Sequence, residues 1–236
     1  SIIGGGPAGL RAAEVAAEAG AKVRLFDAKP SVGRKLLVAG RGGLNLTHGE
    51  AFDSFANRYT GPDQPDEFWR RVLTEFSPDD LRKWAEGLGI RTFEQRTGRV
   101  YPLEMKAAPL LRRWIERLRG LGVRFETRHR WISMAHDQRY RLGFDHAGRQ
   151  VEVECDAVVL ALGGASWPIT GSDGGWVSIL EALGISVNPL QPANCGWELD
   201  WPRSILDSAE GKPLKNIVVR AGGFEVAGEP MVTSYG

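Results

Sequence analysis

The sequence predicts the α/β fold class: a parallel sheet with helices and a β-hairpin or meander excursion, then the start of a β-rich second domain. Three observations carry this reading. Residues 1–27 run strand, glycine turn, alanine-rich helix, strand. The apolar run Ala157-Val-Val-Leu-Ala-Leu162 ends in Gly163-Gly164, the pattern of a fully buried parallel strand. From Asn188 onward prolines and tryptophans rise and helical periodicity vanishes. The expected division is therefore 1–187 and 188–236.

Composition bounds the function. The chain has 236 residues, 42% apolar and 25% charged, enough for one large domain or one and a half with a real core. A disordered tail and a small disulfide-stapled fold are excluded. Net charge is +1, so no overall basic charge draws nucleic acid or an anionic membrane. No run of 18 apolar residues occurs, as a membrane-spanning helix requires. Cys155 and Cys195 have no metal-ligand or redox spacing, which suits a reducing cytoplasm. The expectation is a cytoplasmic protein with a small-molecule substrate, no nucleic-acid partner and no membrane. Glycine is over-represented, 30 of 236 residues against an average near 7%, and the excess is clustered.

The elements follow in order. Ile2 and Ile3 form a strand stub. Pro7 opens a helix where its missing N–H is harmless, and the run from Ala8 to Ala19 ends at Gly20, a natural C-terminal stop. Lys22–Asp27 alternates as a strand does. Residues 28–50 read as a long, basic, glycine-rich connection. Two amphipathic helices lie in 66–88, the second started by Ser77-Pro78-Asp79-Asp80. Arg91–Glu94 and Arg99–Pro102 flank a turn at Gly98 and predict a hairpin. Lys106–Arg119 is helical, ended by Gly120 and Gly122, and a strand follows through Val123-Arg-Phe-Glu. Further strands are expected at Tyr140–Phe144 and Gln150–Glu154, and a helix near Trp176–Leu183. The chain opens without Met, directly before a glycine run, and stops inside a strand-like stretch. It reads as a fragment of a longer protein.

Gly4-Gly5-Gly6-Pro7-Ala8-Gly9 matches the dinucleotide pattern G-x-G-x-x-G, with a strand before it, a helix after it, and Asp27 ending the second strand. Gly4 permits the tight turn, Gly6 the approach of a diphosphate, and Gly9 close packing of helix on strand. The phosphates are expected on the helix N-terminus, and Asp27 on the ribose hydroxyls. A flavin dinucleotide is favoured over NAD by the second glycine-rich stretch. Gly33, Arg34 and Lys35 suit a phosphate, while Arg41, Gly42, Gly43, Asn45 and Thr47 suit the edge of a flavin ring. Gly163 and Gly164 end a strand toward the same crevice.

These segments, with Gly98-Arg-Val-Tyr-Pro102, Ala161-Leu-Gly-Gly-Ala-Ser-Trp-Pro168 and Thr170-Gly-Ser-Asp-Gly174, resemble the YhiN/BaiN-like bacterial flavoproteins, FAD-dependent oxidoreductases that include aminoacetone-oxidase-like proteins. The resemblance implies a Rossmann-like FAD-binding domain carrying a β-rich inserted domain, completed by a C-terminal segment. It implies FAD contacts at Gly4 to Gly9, at Asp27, Ala28 and Lys29, at Gly33 to Lys35, at Gly42 to Thr47 including Leu46, and at Ala161, Leu162, Gly163 and Gly164. The backbone around Trp131, at the end of the strand after Gly122, matches where such proteins hold adenine. Two positions depart from the pattern: Gly43-Leu44 stands where the larger branch reads Arg-Cys, and Leu162 where it reads Thr. A redox role for that cysteine is therefore excluded, and another substrate is expected.

The expected function is that of an FAD-dependent oxidoreductase transferring hydride or electrons to or from a small molecule, with NAD(P)H a candidate electron donor. An NAD-dependent dehydrogenase and an FAD-containing RNA-modifying protein are the alternatives. Lys106 to Arg130 holds eight Lys/Arg against two Glu, but Arg112, Arg113, Arg117 and Arg119 read as the solvated face of a helix whose other face is core. His48, beside the proposed ring-edge loop, is the one histidine to test as a proton donor. No metal site is expected.

Overall fold

The computed structural model describes residues 1–40, 42–61, 64–191, 196–215, 217–221 and 223–235. It forms two compact units, Ser1–Pro189 and Leu190–Gly236. The first contains β1 (Ile2–Ile3), α1 (Pro7–Glu18), β2 (Arg24–Asp27), α2 (Arg34–Ala39), β3 (Thr47–His48), α3 (Phe52–Ala56), α4 (Asp66–Glu75) and α5 (Pro78–Gly87). It continues through β4 (Thr92–Glu94), β5 (Arg99–Pro102), α6 (Ala107–Gly120) and β6 (Arg124–Thr127). Next come β7 (His129–His136), β8 (Tyr140–His146), β9 (Arg149–Cys155), β10 (Val159–Leu160) and α7 (Trp176–Ala182). The second unit holds α8 (Arg203–Ala209) and an antiparallel hairpin of β11 (Ile217–Ala221) and β12 (Phe224–Gly228).

A four-stranded sheet in the order β10-β1-β2-β6 is the frame, and its strands are parallel throughout. Alternate residues of a strand face opposite sides of a sheet, and here the two sides meet different layers. Ile2 and Leu25 are buried against Leu10 and Ala13 of α1 and Leu110, Leu111 and Trp114 of α6. Ile3 and Phe26 are buried against Trp131, Leu142 and Phe144 of the antiparallel meander β7-β8-β9, and Leu180 of α7. Phe26 stacks on Phe144 with centroids 4.3 Å apart. A third sheet, β3-β5-β4, is the expected hairpin plus one strand, turning at Gly98 with φ +77°. The start of α5 closes as a capping box, in which Ser77 Oγ accepts from the Asp80 N–H and the Asp80 carboxylate accepts from the Ser77 N–H.

Three sequence expectations need correction. The connection 28–50 is not all loop: Arg34–Ala39 is helical. Trp131 does not end the strand after Gly122. The chain turns at Arg128, φ +59°, and Trp131 sits in the separate eight-residue strand β7. The run Ala157–Leu162 is parallel to β1, but β10 lies at the sheet edge with a neighbour on one side only. Val159 and Leu160 are consequently 44% and 37% exposed rather than buried.

The helical layer is pinned by a charge that the sequence did not reveal. Glu14 of α1 is fully buried. Its carboxylate accepts from Arg11 at 2.8 Å, Arg117 Nε at 3.0 Å, Trp84 Nε1 at 2.9 Å and Trp114 Nε1 at 3.2 Å. Helices α1, α5 and α6 thus converge on one carboxylate. Arg117 belongs to this cluster and also binds Glu18 at 2.7 Å, so it is not part of a free solvated face. Removing one partner of a buried ion pair leaves the others uncompensated and costs about 3–5 kcal/mol. Glu14→Ala should lower the unfolding free energy by about 3 kcal/mol in urea titrations, whereas the half-exposed Glu18→Ala should cost under about 1 kcal/mol.

Candidate functional site

At the C-terminal ends of β1, β2 and β10 the backbone itself makes the site. Gly4 has φ +108°, and its N–H bonds to the Phe26 carbonyl at 2.8 Å. A Cβ on Gly4 would overlap the Ala161 carbonyl oxygen, and one on Gly9 would overlap the Gly4 carbonyl oxygen. Three segments therefore meet backbone to backbone. Gly6 differs: nothing lies within 4 Å of where its Cβ would be, and it lines a cleft of about 800 Å³. Gly6 is also the N-cap of α1, with no side-chain cap, Pro7 next and no acid in the first turn. The first-turn N–H groups and the positive end of the helix dipole carry no side-chain cap and no acid of their own turn, an arrangement that suits phosphate.

The structure brings fourteen of the expected residues into this one cleft: Gly4, Gly5, Gly6, Pro7 and Ala8 from the first bend, Asp27 and Ala28 from the end of β2, Gly33, Arg34 and Lys35 at the start of α2, Trp131 from β7, and Ala161, Leu162 and Gly163 after β10. Gly9 lies beneath the first bend, and Lys29 and Gly164 do not line the cleft. Arg41 falls outside the described residues.

Gly42, Gly43, Asn45, Leu46 and Thr47 are not brought to the cleft. Their loop is occupied with holding the hairpin. The N–H of Leu44 bonds to Met105 O at 3.1 Å, that of Leu46 to Val100 O at 2.9 Å, and those of Gly43 and Asn45 to carbonyls of the loop. Thr47 pairs with Val100 in β5, and Leu44 is buried in the core. His48 is also elsewhere: its Nε2 lies 2.9 Å from Thr97 O, and its Nδ1 3.2 Å from the Glu50 N–H. The structure therefore offers no support for His48 as a proton donor in this cleft.

Charge in the cleft is arranged around Asp27. Its two carboxylate oxygens accept from the N–H of Gly5 at 2.9 Å and of Lys29 at 2.7 Å. Burial raises its pKa above the ordinary 3.8, against the opposing pull of those two N–H groups and of Arg34 and Lys29. Each oxygen keeps one free lone pair, and further donors would favour the charged form. Gly33, with φ +69°, donates to Gly5 O at 2.7 Å, which brings Arg34 and Lys35 toward the first bend. Lys35 Nζ bonds to Ser166 Oγ from the loop after β10. Arg34 Nε and Trp131 Nε1 are buried without a partner. Donors in excess on the cleft walls suit an anionic, acceptor-rich ligand.

Sequence reasoning missed the segment 170–176, which completes the cleft. Gly171, φ +109°, packs on the Lys29 side chain. Ser172 Oγ accepts from the Ala165 N–H at 2.9 Å, and Trp176 Nε1 donates to Gly163 O at 3.1 Å. Asp173 pairs with Arg130 of β7 at 3.0 Å, and that hydrogen bond, with the Gly175 N–H, holds its carboxyl below the ordinary range. The glycine-rich string Gly171-Ser-Asp-Gly-Gly175 was the available signal. No group of three or more His, Cys, Asp or Glu able to hold a metal occurs among the described residues, and no helix among them is long and apolar enough to cross a membrane.

A parallel sheet whose first strand feeds an open glycine bend and an uncapped helix, with an acid at the end of the second strand, defines a Rossmann-type nucleotide-binding domain. The HI0933-like protein Rossmann domain family matches residues 1–229, and the chain belongs to that family. Among curated proteins it is 32% identical over 241 residues to a 3-dehydro-bile acid delta(4,6)-reductase of Clostridium scindens, covering 100% of this chain and 56% of that protein. It is 29% identical over 192 residues to a ribosomal RNA dihydrouridine synthase of Escherichia coli, covering 80% of this chain and 45% of that protein. The chain thus spans about half the length of the curated relatives it matches. Among solved structures, a 3-ketosteroid-delta4-(5alpha)-dehydrogenase from Rhodococcus jostii RHA1 shares the fold with TM-score 0.60 at 19% identity, covering 78% of this chain and 53% of that one.

The contrast between the two glycines is measurable. Gly9→Ala forces a methyl into the Gly4 carbonyl and should cost about 3 kcal/mol. Gly6→Ala meets only open space and should cost about 1 kcal/mol or less, the usual difference at an N-cap. Chemical denaturation of the two variants checks this.

Proposed function

We propose that the cleft binds FAD and that the full-length protein is an FAD-dependent oxidoreductase acting on a small molecule. In this reading residues 1–187 are the FAD-binding domain, and 188–236 are part of a β-rich inserted domain. One observation carries the reading: an uncapped helix N-terminus at Gly6–Ala8, the Asp27 carboxylate, the Arg34 and Lys35 cations and the Gly163 bend all line a single cleft. Its volume lies within the usual range of about 300–1,000 Å³ for small-molecule and cofactor sites.

The residues present fit the group. The first-turn N–H groups of α1 and the side chains of Arg34 and Lys35 would offset the diphosphate charge. Asp27 would accept from the ribose hydroxyls with its free lone pairs. Gly6, lacking a side chain, leaves the phosphates their space. Bound FAD would supply the two-electron chemistry, with NAD(P)H as a candidate electron donor, while the chain binds and orients it. The names of both relatives denote hydrogen addition at ring carbon–carbon double bonds, which supports reduction of such a bond as the reaction class.

Two relatives are named ribosomal RNA dihydrouridine synthases, and this favours a second reading in which the substrate is RNA. Arg117 is committed to Glu14 and Glu18, so Arg112 and Arg113 are the α6 cations to neutralise. Salt-sensitive RNA binding lost in that double variant would support the second reading. RNA binding absent from the wild type would leave the small molecule.

The main test separates binding from folding. Gly6→Asp adds a good N-cap and a favourable charge at the start of α1, yet fills the phosphate space with negative charge. The purified full-length protein should carry flavin absorption bands and release FAD on denaturation. Gly6→Asp should lose the flavin while keeping the thermal midpoint of the wild type stripped of flavin. A variant that retains stoichiometric flavin, or a colourless wild type that takes up NADH instead, would overturn the FAD assignment.

A further inference from the structure

Two lysines reach from one side of the glycine bend to a single loop on the other. In the sheet β1 lies between β10 and β2, and the bend of residues 4–8 leaves the end of β1. On the β10 side, residues 163–172 form a loop whose ends are close, as in a compact Ω-loop. A Cβ on Gly163 would lie 2.6 Å from Ser172 Oγ, and the same oxygen accepts from the Ala165 N–H at 2.9 Å. Within the loop the Thr170 N–H bonds to Trp167 O and the Gly171 N–H to Pro168 O, both at 3.0 Å. Ala165 stands at φ +58°, a left-handed conformation that a residue with a Cβ keeps only where its surroundings enforce it.

On the β2 side, Lys29 lies just after the strand and Lys35 lies in the first turn of α2. The start of α2 is tied to the bend by the Gly33 N–H on Gly5 O at 2.7 Å. The Lys29 stem packs on Gly171, and the Lys35 ammonium donates to Ser166 Oγ. Both contacts therefore join the segments that flank the bend. The loop tip is otherwise lightly held. Among the described residues, 166–169 has a single hydrogen bond to a group outside the loop, the one from Lys35. Trp167 is 44% and Ile169 76% exposed, so apolar burial adds little. Lys35 lines the cleft and Ser166 stands at its rim. An ammonium group has three donors. Ser166 engages one of them and, being neutral, does not offset the charge.

We propose that the 163–172 loop is a strap over the bound diphosphate, with Lys35 as its clasp: one ammonium donor stays on Ser166 while another goes to a diphosphate oxygen. The proposal rests on the dinucleotide reading above. Lys35 is then a binding residue and Ser166 a positioning residue acting through it. A bond from a cation to an anionic oxygen is stronger than one between neutral groups, so the anion fixes Lys35 and Lys35 fixes the loop. By linkage the effect is reciprocal: a ligand that steadies the strap is itself held more tightly by it.

The test uses the full-length protein freed of cofactor, with inorganic pyrophosphate as the probe. Saturating pyrophosphate should slow amide hydrogen exchange across 165–171, read by mass spectrometry, by at least about threefold in the wild type. Ser166→Ala should abolish that protection and weaken pyrophosphate binding about three- to fivefold in calorimetric titrations, the range for one exposed charged contact. Ser166→Thr, which keeps the hydroxyl, should restore both to within about twofold of the wild type. Ser166 is exposed, so all three proteins should share one thermal midpoint. Pyrophosphate that binds without slowing loop exchange, or an affinity unchanged in Ser166→Ala, would overturn the clasp while leaving the cleft a diphosphate site. Faster loop exchange with pyrophosphate, or tighter binding in Ser166→Ala, would also overturn it, because Ser166 and the anion would then compete for Lys35. A wild type that binds no pyrophosphate would overturn the dinucleotide reading and the strap with it.

Discussion

The cleft exists because three stretches of backbone touch where no side chain intervenes. Gly9 lies under the carbonyl of Gly4, and Gly4 lies against the carbonyl of Ala161. That approach draws α1 down onto the ends of β1 and β10 and points its uncapped N-terminus into the space between the strands. A methyl group at either glycine would lift the helix, and the oriented N–H groups would no longer converge with Asp27 and Gly163. The chemistry proposed for the cleft is thus a consequence of missing Cβ atoms. Gly6 differs from both, since its missing Cβ relieves no contact within the protein.

The two ends of α1 carry opposite electrostatics. The N-terminal end offers positive potential without a protein partner. Further along, Glu14 is enclosed by two guanidinium groups and two indoles and fixes the helix against α5 and α6. A buried carboxylate with several donors tolerates the loss of none of them easily. The helix is therefore anchored by its body and left open at its tip. Rigid support of this kind allows an anion to be bound without reorganising the donors, which is how preorganised sites gain affinity.

Much of this was legible in the sequence because it is local. The strand–glycine–helix–strand unit, Asp27, the capping box at Ser77 and the turn at Gly98 each follow from residue types within a few positions. The misreadings came from distance. Nothing local marks Glu14 within its alanine-rich helix, since its partners Trp84 and Trp114 are 70 and 100 positions away. Within the glycine-rich Gly42–Thr47 stretch the N–H groups of Leu44 and Leu46 find acceptors at Met105 and Val100, a pairing no local pattern announces. The apolar run before Gly163 read as buried because hydrophobicity does not say on how many sides a strand has neighbours. The Arg130–Asp173 pair spans 43 positions and joins two elements that only the tertiary fold brings together.

The most direct measurement is a crystal structure of the full-length protein soaked with ADP or FAD. The account predicts the diphosphate over the Gly6–Pro7–Ala8 bend, within hydrogen-bond distance of the first-turn N–H groups of α1, and a ribose hydroxyl on Asp27. A diphosphate bound on the arginine face of α6, or a ligand whose phosphates lie away from that bend, would contradict it.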